Sequence, residues 1–471
     1  MLLFRPNLLV LMWTSAVNFP QISGAPVNVE IISLLPYNFG MGTALVRTGS
    51  AFALAVEEAN KRYAPYLNMS LRLMYNATDR NCEEVAGQAI RTLSEYYYRK
   101  TDPESVYAII VSQWDWLMFA NGASADDFVD KEKSPTGMAT GGTFRSYAEF
   151  TLRLCIFHRW SHITVLLQTK AFSNFYSEVA DSLFRAAAEY SGRYHFDVNL
   201  NMFDLVDESM IAALNHVKYR SRVIVILGPG ATCLRMLERA EGLTNGEYVF
   251  IVIQPQQQGF YGKASGFNNP NTTNLAAFRS FLYVTFKSPS GAAVTDLNLK
   301  LVRQAKALYN VTYAAGTQPL DGFSVMASYD IVDLLAVTVN ETAATRVRGS
   351  GWSGRHLAER MSNRNFSLTV GEMYVNEEGA RTLDLDVFAF NTTTNSMQVV
   401  NPWNPSENGP SVNWATNTGR PPLDVPKCGF SGEDGDCAQQ RRASLRTLIL
   451  SVILGGGTPA IIVLLLLWAF G

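Results

Sequence analysis

His158 and His162 stand four residues apart, the spacing at which two imidazoles on one helix face can hold a zinc ion. Arg159 occupies the place where a zinc protease carries its glutamate, and the pair straddles a junction from helix to strand, so no metal site is expected. The chain has only five histidines, and no Gly-x-Ser-x-Gly elbow accompanies them. Gly40-Met41-Gly42-Thr43-Ala44-Leu45 and Gly228-Pro229-Gly230-Ala231-Thr232-Cys233 each open like a dinucleotide-binding turn, and each lacks the third glycine that permits close packing of helix on strand. Both read as turns. No Gly-x-x-x-x-Gly-Lys-Ser/Thr cradle is present for a phosphate. The chain offers no catalytic constellation and no cofactor site, and it reads as a binding protein rather than an enzyme.

The five cysteines divide into one candidate pair, two buried thiols and one left over. Cys428 and Cys437 flank a polar, glycine-rich loop and are expected to form a disulfide there. Cys155 and Cys233 fall in helix-like stretches and read as buried free thiols. Cys82 is left over, which implies a covalent dimer or a lost partner. Five cysteines are too few to build a disulfide scaffold, so ordinary packing must supply the core.

The two ends of the chain carry targeting signals. Residues 1–25 read as a signal peptide: Arg5 precedes an apolar run from Leu8 to Val17, and Ser23-Gly24-Ala25 supplies small residues for cleavage. Thr447 to Phe470 has no charged side chain and would form a helix of roughly 36 Å, enough to span a bilayer with some tilt. The expected topology is a single-pass plasma-membrane protein with a large outer domain. Arg441, Arg442 and Arg446 on the outer side run against the charge rule, and a lipid-anchor signal is the alternative for this end. Within the span, Ser451 with Gly455 and Gly456 with Ala460 have the spacing at which two helices can approach, and Gly455-Gly456-Gly457-Thr458-Pro459 could equally kink it. Sequons at Asn68, Asn76, Asn271, Asn310, Asn340, Asn365 and Asn391 are expected surface glycan sites. A net charge of -2 and a pI near 6.3 give no reason to expect a nucleic-acid partner.

Between these ends, short apolar runs alternate with helical patterns, the signature of parallel α/β units. Strand-like Val27 to Leu35, Leu71 to Tyr75 and Val106 to Val111 interleave with helical Ser50 to Arg62 and Cys82 to Tyr98. The rhythm restarts after Thr143, which predicts an α/β chain of two lobes, each a doubly wound parallel sheet, with a ligand cleft at the strand ends. The boundaries read as 26–400 for the bilobed region, with the first lobe at about 26–157 and the second at about 158–275, each plus returning segments. Asn401 to Pro426, rich in Asn, Pro and Gly, reads as a stalk or linker, so that 401–446 is a stalk with the juxtamembrane disulfide loop and 447–470 the span.

Four stretches resemble the extracellular ligand-binding region of receptor guanylyl cyclases and natriuretic peptide receptors, a periplasmic-binding-protein-like fold. They are Ser50 to Asn60, Tyr329 to Asn340, Gly371 to Arg381, and Pro426-Lys427-Cys428-Gly429-Phe430 with Cys437. The resemblance implies an extracellular ligand, peptide hormone or small molecule, and a homodimer. It leaves three readings open: a receptor without enzyme, a piece of a receptor cyclase, or an anchored or secreted solute-binding protein.

Two departures from the family stand out. Its third strand ends in a Gly-Pro turn, associated with chloride, whose cysteine pairs with the position of Cys82; here Val106 to Val111 runs into Ser112 to Phe119, which looks like the next strand already. A crossover helix is missing by this reading, and the chloride-associated turn with it. Trp114 and Trp116, in the altered stretch, are candidates for a ligand or dimer surface, against the alternative of core packing.

Overall fold

The computed structural model describes residues 26–37, 43–78, 82–99, 104–110, 117–171, 173–255, 278–313, 319–345, 352–394, 396–403, 411–416, 418–431, 437, 439, 443–448 and 451. Residues 1–25, read above as a leader, Trp114, Trp116, Asn271 and nearly all of the 447–470 segment lie outside them.

The first sheet is wholly parallel, in the order β2-β1-β3-β4-β5, from β1 (Val27–Ser33), β2 (Leu67–Leu73), β3 (Val106–Ile110), β4 (Leu117–Ala120) and β5 (Gly137–Ala139). Helix α1 (Leu45–Arg62) covers one face, burying Ala51, Phe52, Leu54, Ala55 and Ala59 at helical spacing. Helix α2 (Cys82–Arg99) sends Leu93 to the other face, against Ile32, Leu34 and Ile109. The sequence reading starts α1 at Ser50; it begins at Leu45, and Ala44 at its N-cap makes no side-chain capping bond, so no capping signal was there to find.

Strands β3 and β4 pair in parallel, Ala108 opposite Leu117, with only residues 111–116 between them. A parallel connection ordinarily takes a dozen residues or more. The two strands share only three paired positions, so the chain must return about 7 Å along the sheet and cross about 5 Å, which six residues can reach. The short link that the sequence suggests is therefore compatible with a continuous sheet.

After the short helix α3 (Asp126–Val129), the chain crosses to the second lobe through α4 (Phe144–His158), whose Phe144 and Tyr147 pack edge-on against Phe175. The second sheet runs β14-β13-β10-β9-β8-β6-β7. Its parallel strands are β6 (His162–Gln168), β7 (Asp197–Phe203), β8 (Val223–Leu227), β9 (Val249–Gln254) and β10 (Phe281–Phe286). Between them come α5 (Phe175–Tyr190), α6 (Asp207–Val217) and α7 (Gly230–Glu238). Every residue of β8 and β9 is buried, as expected of central strands covered on both faces. Antiparallel β13 (Leu385–Asn391) and β14 (Ser396–Val400) extend one edge.

The lobes are joined by α8 (Ala292–Tyr309), α9 (Phe323–Ala343), α10 (Gly354–Met361) and the hairpin β11 (Arg364–Ser367) with β12 (Glu372–Val375). Helix α9 is, among the described residues, the one helix long and apolar enough to cross a membrane, yet 89% of its most apolar window is buried in the fold, much of it against α1. It is a core helix, and one continuous apolar core runs from the first sheet through it to the second.

Candidate functional site

In a doubly wound sheet the ligand crevice opens beyond the carboxyl ends of the strands, where the strand order reverses. In the second lobe that point lies between β6 and β8, and it carries a compact buried polar group. The Tyr176 hydroxyl donates to Gln254 Oε1 at 3.0 Å, and Gln254 Nε2 donates to the Gly228 carbonyl at 2.8 Å. The Cys233 thiol donates to the same carbonyl at 3.2 Å. Gly228 is closely approached, since a Cβ there would sit 3.1 Å from Gln168 Oε1. That Gln168 oxygen is buried without a partner among the described residues, an acceptor left free at the switch point.

The Gly228-Pro229-Gly230 stretch is thus a turn whose carbonyl organises the strand ends. The Cys233 thiol is pushed up by burial and stays protonated at neutral pH, so this group can bind but offers no nucleophile.

The hinge between the lobes is built on α9. Asn121 Nδ2 donates to Ser328 Oγ at 3.0 Å, and the Phe323 ring meets Phe286 of β10 at 5.0 Å. Asp333 Oδ1 accepts from Arg62 at the end of α1 at 2.5 Å, and its Oδ2 accepts from the Thr369 backbone in the β11–β12 turn at 2.7 Å. Asp330 pairs with Arg381 at 2.6 Å, and Arg381 belongs to the segment that returns to the second lobe. The Asp330 carboxyl is pushed up to about 6 by burial, against the pull of Arg381. Beside Arg381 a cavity of about 630 Å³ opens at the hinge, its Arg145 and Arg153 both paired with Glu149.

The sequence reading did not single out Asp330, Asp333 or Arg381, although all three fall in the quoted motifs. Two aspartates inside an otherwise apolar stretch were the available signal, since buried charges need partners.

Residues 411–416 and 418–431, read from composition as part of a stalk, lie against the second lobe instead. Trp414 is buried beside His158 and Trp160, and Trp160 Nε1 donates to the Pro422 carbonyl at 2.9 Å. Asp424 accepts four hydrogen bonds, from the backbone N–H and side chain of both Ser161 and His162. Phe430 lies 5.5 Å from the His162 ring, and Cys428 is bonded to Cys437. We call this segment the strap.

The two histidines considered for zinc are placed apart in role. His158 is pushed down to about 4 by burial among tryptophans, and His162 binds Asp424. Cys155 and Cys233 are free and buried. Of the sequon asparagines, Asn68, Asn310 and Asn365 are exposed, whereas Asn76, Asn340 and Asn391 are half-buried.

A sequence family described as the receptor family ligand binding region matches residues 47–393, nearly the whole of both lobes. The chain belongs to this family. Among its relatives, atrial natriuretic peptide receptor 2 of Rattus norvegicus is 25% identical over 90% of this chain and 42% of the relative. Atrial natriuretic peptide receptor 3 of Bos taurus is 22% identical over 80% of this chain and 71% of its own length. A receptor-type guanylate cyclase of Caenorhabditis elegans is 23% identical over 55% of this chain. The chain spans under half the length of the type 2 receptors that it matches. A solved structure described as a branched-chain amino acid ABC transporter from Rhodospirillum rubrum superposes with a TM-score of 0.53 at 12% identity, covering 80% of this chain and 100% of that one. This likeness establishes the periplasmic-binding-protein-like fold.

Proposed function

We propose that this chain is the extracellular ligand-binding part of a natriuretic-peptide-receptor-like cell-surface receptor. It binds a peptide or small ligand at the strand ends of its two lobes, and it responds by lobe closure or by rotation within a homodimer. The observation that carries this reading is the match of the receptor ligand-binding region to residues 47–393. The bilobed fold supports it, with a free acceptor at the second switch point and a polar hinge. Residues 1–25 serve as a leader and 447–470 as a single span in this reading, and the chain binds without catalysing.

A second reading, a portion of a receptor guanylate cyclase, is favoured by one observation: the type 2 receptors extend well beyond the matched part. Sequencing the transcript past the Gly471 codon separates the two, because a cyclase would continue in frame.

The test of the main reading uses the full chain expressed in animal cells. Surface labelling, a glycosidase-sensitive mass shift and saturable, displaceable binding of a natriuretic-type peptide are expected. Protein found in the cytosol, with its leader attached and no sugar, would sink it. Release from the membrane by a phosphoinositide-specific phospholipase would replace the span by a lipid anchor.

A further inference from the structure

At the amino-terminal ends of β8 and β9, at the end of the second sheet opposite the ligand crevice, the strap roofs a cavity of about 1050 Å³. Its walls are largely apolar: Tyr248 on the lobe side, and Pro421, Pro422, Leu423, Pro426 and Phe430 on the strap. Four cations line it, Lys218, Arg222, Arg420 and Lys427, against one carboxylate among the described lining residues, Glu247. Arg222 is fixed in place: it is only 9% exposed, its guanidinium lies 4.3 Å from the centre of the Tyr248 ring, and Nη1 donates to Glu247 at 2.6 Å.

The roof is held firmly. Trp160 bonds the Pro422 carbonyl and Asp424 takes its four hydrogen bonds, and Cys428 in the cavity wall is bonded to Cys437. An apolar, pre-formed space with a few convergent charged groups is the general character of a small-molecule site. The surplus of positive charge selects a negative ligand, and the prolines and aromatic rings select an apolar body.

The geometry points to a second binding site, separate from the cleft, for a small amphipathic anion: a phosphate, sulfonate or carboxylate carried on an aromatic or aliphatic body. A soluble metabolite and an anionic lipid headgroup share this chemistry. A ligand bound here touches the second lobe and the strap together, so it stiffens the joint between the binding lobe and the segment that follows.

The test uses purified full chain in detergent, with 1-naphthyl phosphate as probe and calorimetry as readout. Saturable binding is expected, with 1-naphthol weaker by about tenfold or more, the scale of one lost charge-assisted contact. Arg420 and Lys427 are exposed, so R420E with K427E is expected to leave the melting temperature unchanged and to weaken the probe by a similar factor. Vesicles of phosphatidylcholine with added phosphatidic acid form the second arm. Competition with the probe assigns the site to lipid, and binding of the probe without competition assigns it to a soluble anion. Absence of binding in both arms, equal affinity for 1-naphthol, or undiminished affinity in the double variant overturns the site. None of these readouts depends on the cleft ligand, so this failure is distinguishable from failure of the receptor reading.

Discussion

Asp330 and Asp333 lie one turn apart on the same buried helix and hold different parts of the chain: Asp333 binds Arg62 at the end of α1, and Asp330 binds Arg381 on the segment returning to the second lobe. Both carboxylates are almost fully buried, at 2% and 3% exposed. The hinge is therefore fixed by charge at two points that the apolar core alone would leave free to slide.

Removing one member of the deeper pair should be costly, because it leaves an uncompensated charge inside. Arg381→Met is expected to destabilise by about 3 kcal/mol, whereas Arg381→Met combined with Asp330→Leu should recover most of that loss. Urea unfolding of the two single variants and the double variant measures the cycle. Additive single-variant losses would show that the pair is not coupled.

The same aspartate gives a signed pH effect. Its folded value of about 6 lies above the value of about 3.9 in an unfolded chain, so the native state keeps the proton longer. Stability from this group is therefore greatest in acid, declines as pH rises from about 4 to about 6, and is flat above that. Relative to Asp330→Asn, the natural protein should lose about 1 kcal/mol between pH 5 and pH 7. A gap that does not change with pH would remove Asp330 as the titrating group.

The alternation of strands and helices was legible because buried parallel strands must be continuous apolar runs, as Val223 to Leu227 is. The sequence reading starts the strand after β3 at Ser112; β4 runs Leu117–Ala120, and residues 112–116 lie outside the described residues. The strap could not be read from composition. Its Asn, Pro and Gly residues look like a linker, and its anchors, Trp414 and Asp424, acquire meaning only once Trp160, Ser161 and His162 are placed beside them from over 240 residues away in the chain. The hinge pairs were hidden likewise, since Arg62 and Asp333 are 271 residues apart.

Gly246 should be intolerant of any side chain. Its backbone has φ of +89°, and a Cβ would overlap the Ala415 carbonyl of the strap. Gly246→Ala is expected to cost about 2 kcal/mol from left-handed backbone and displaced packing together. Hydrogen exchange should show faster exchange in residues 411–416 with the first lobe unaffected. Wild-type protection of that segment in the variant would contradict the close approach.

The Asp424 clamp makes the last prediction, with a pH sign opposite to that of Asp330. Burial alone would raise its carboxyl, but the hydrogen bonds from His162 and Ser161 outweigh it and hold the group below the ordinary carboxylate range. A depressed folded value means that its stabilisation is fully present above about pH 4 and is lost as pH falls through the lowered value. Asp424→Asn turns one acceptor atom into a donor facing groups that already donate, at an expected cost of about 2 kcal/mol. The consequence is local: the strap should detach before the lobes unfold, so limited proteolysis at neutral pH should cut the variant between residues 418 and 431 while sparing the wild type. If the two proteins were cut at equal rates, the four hydrogen bonds to Asp424 would not be what fastens the strap to the second lobe.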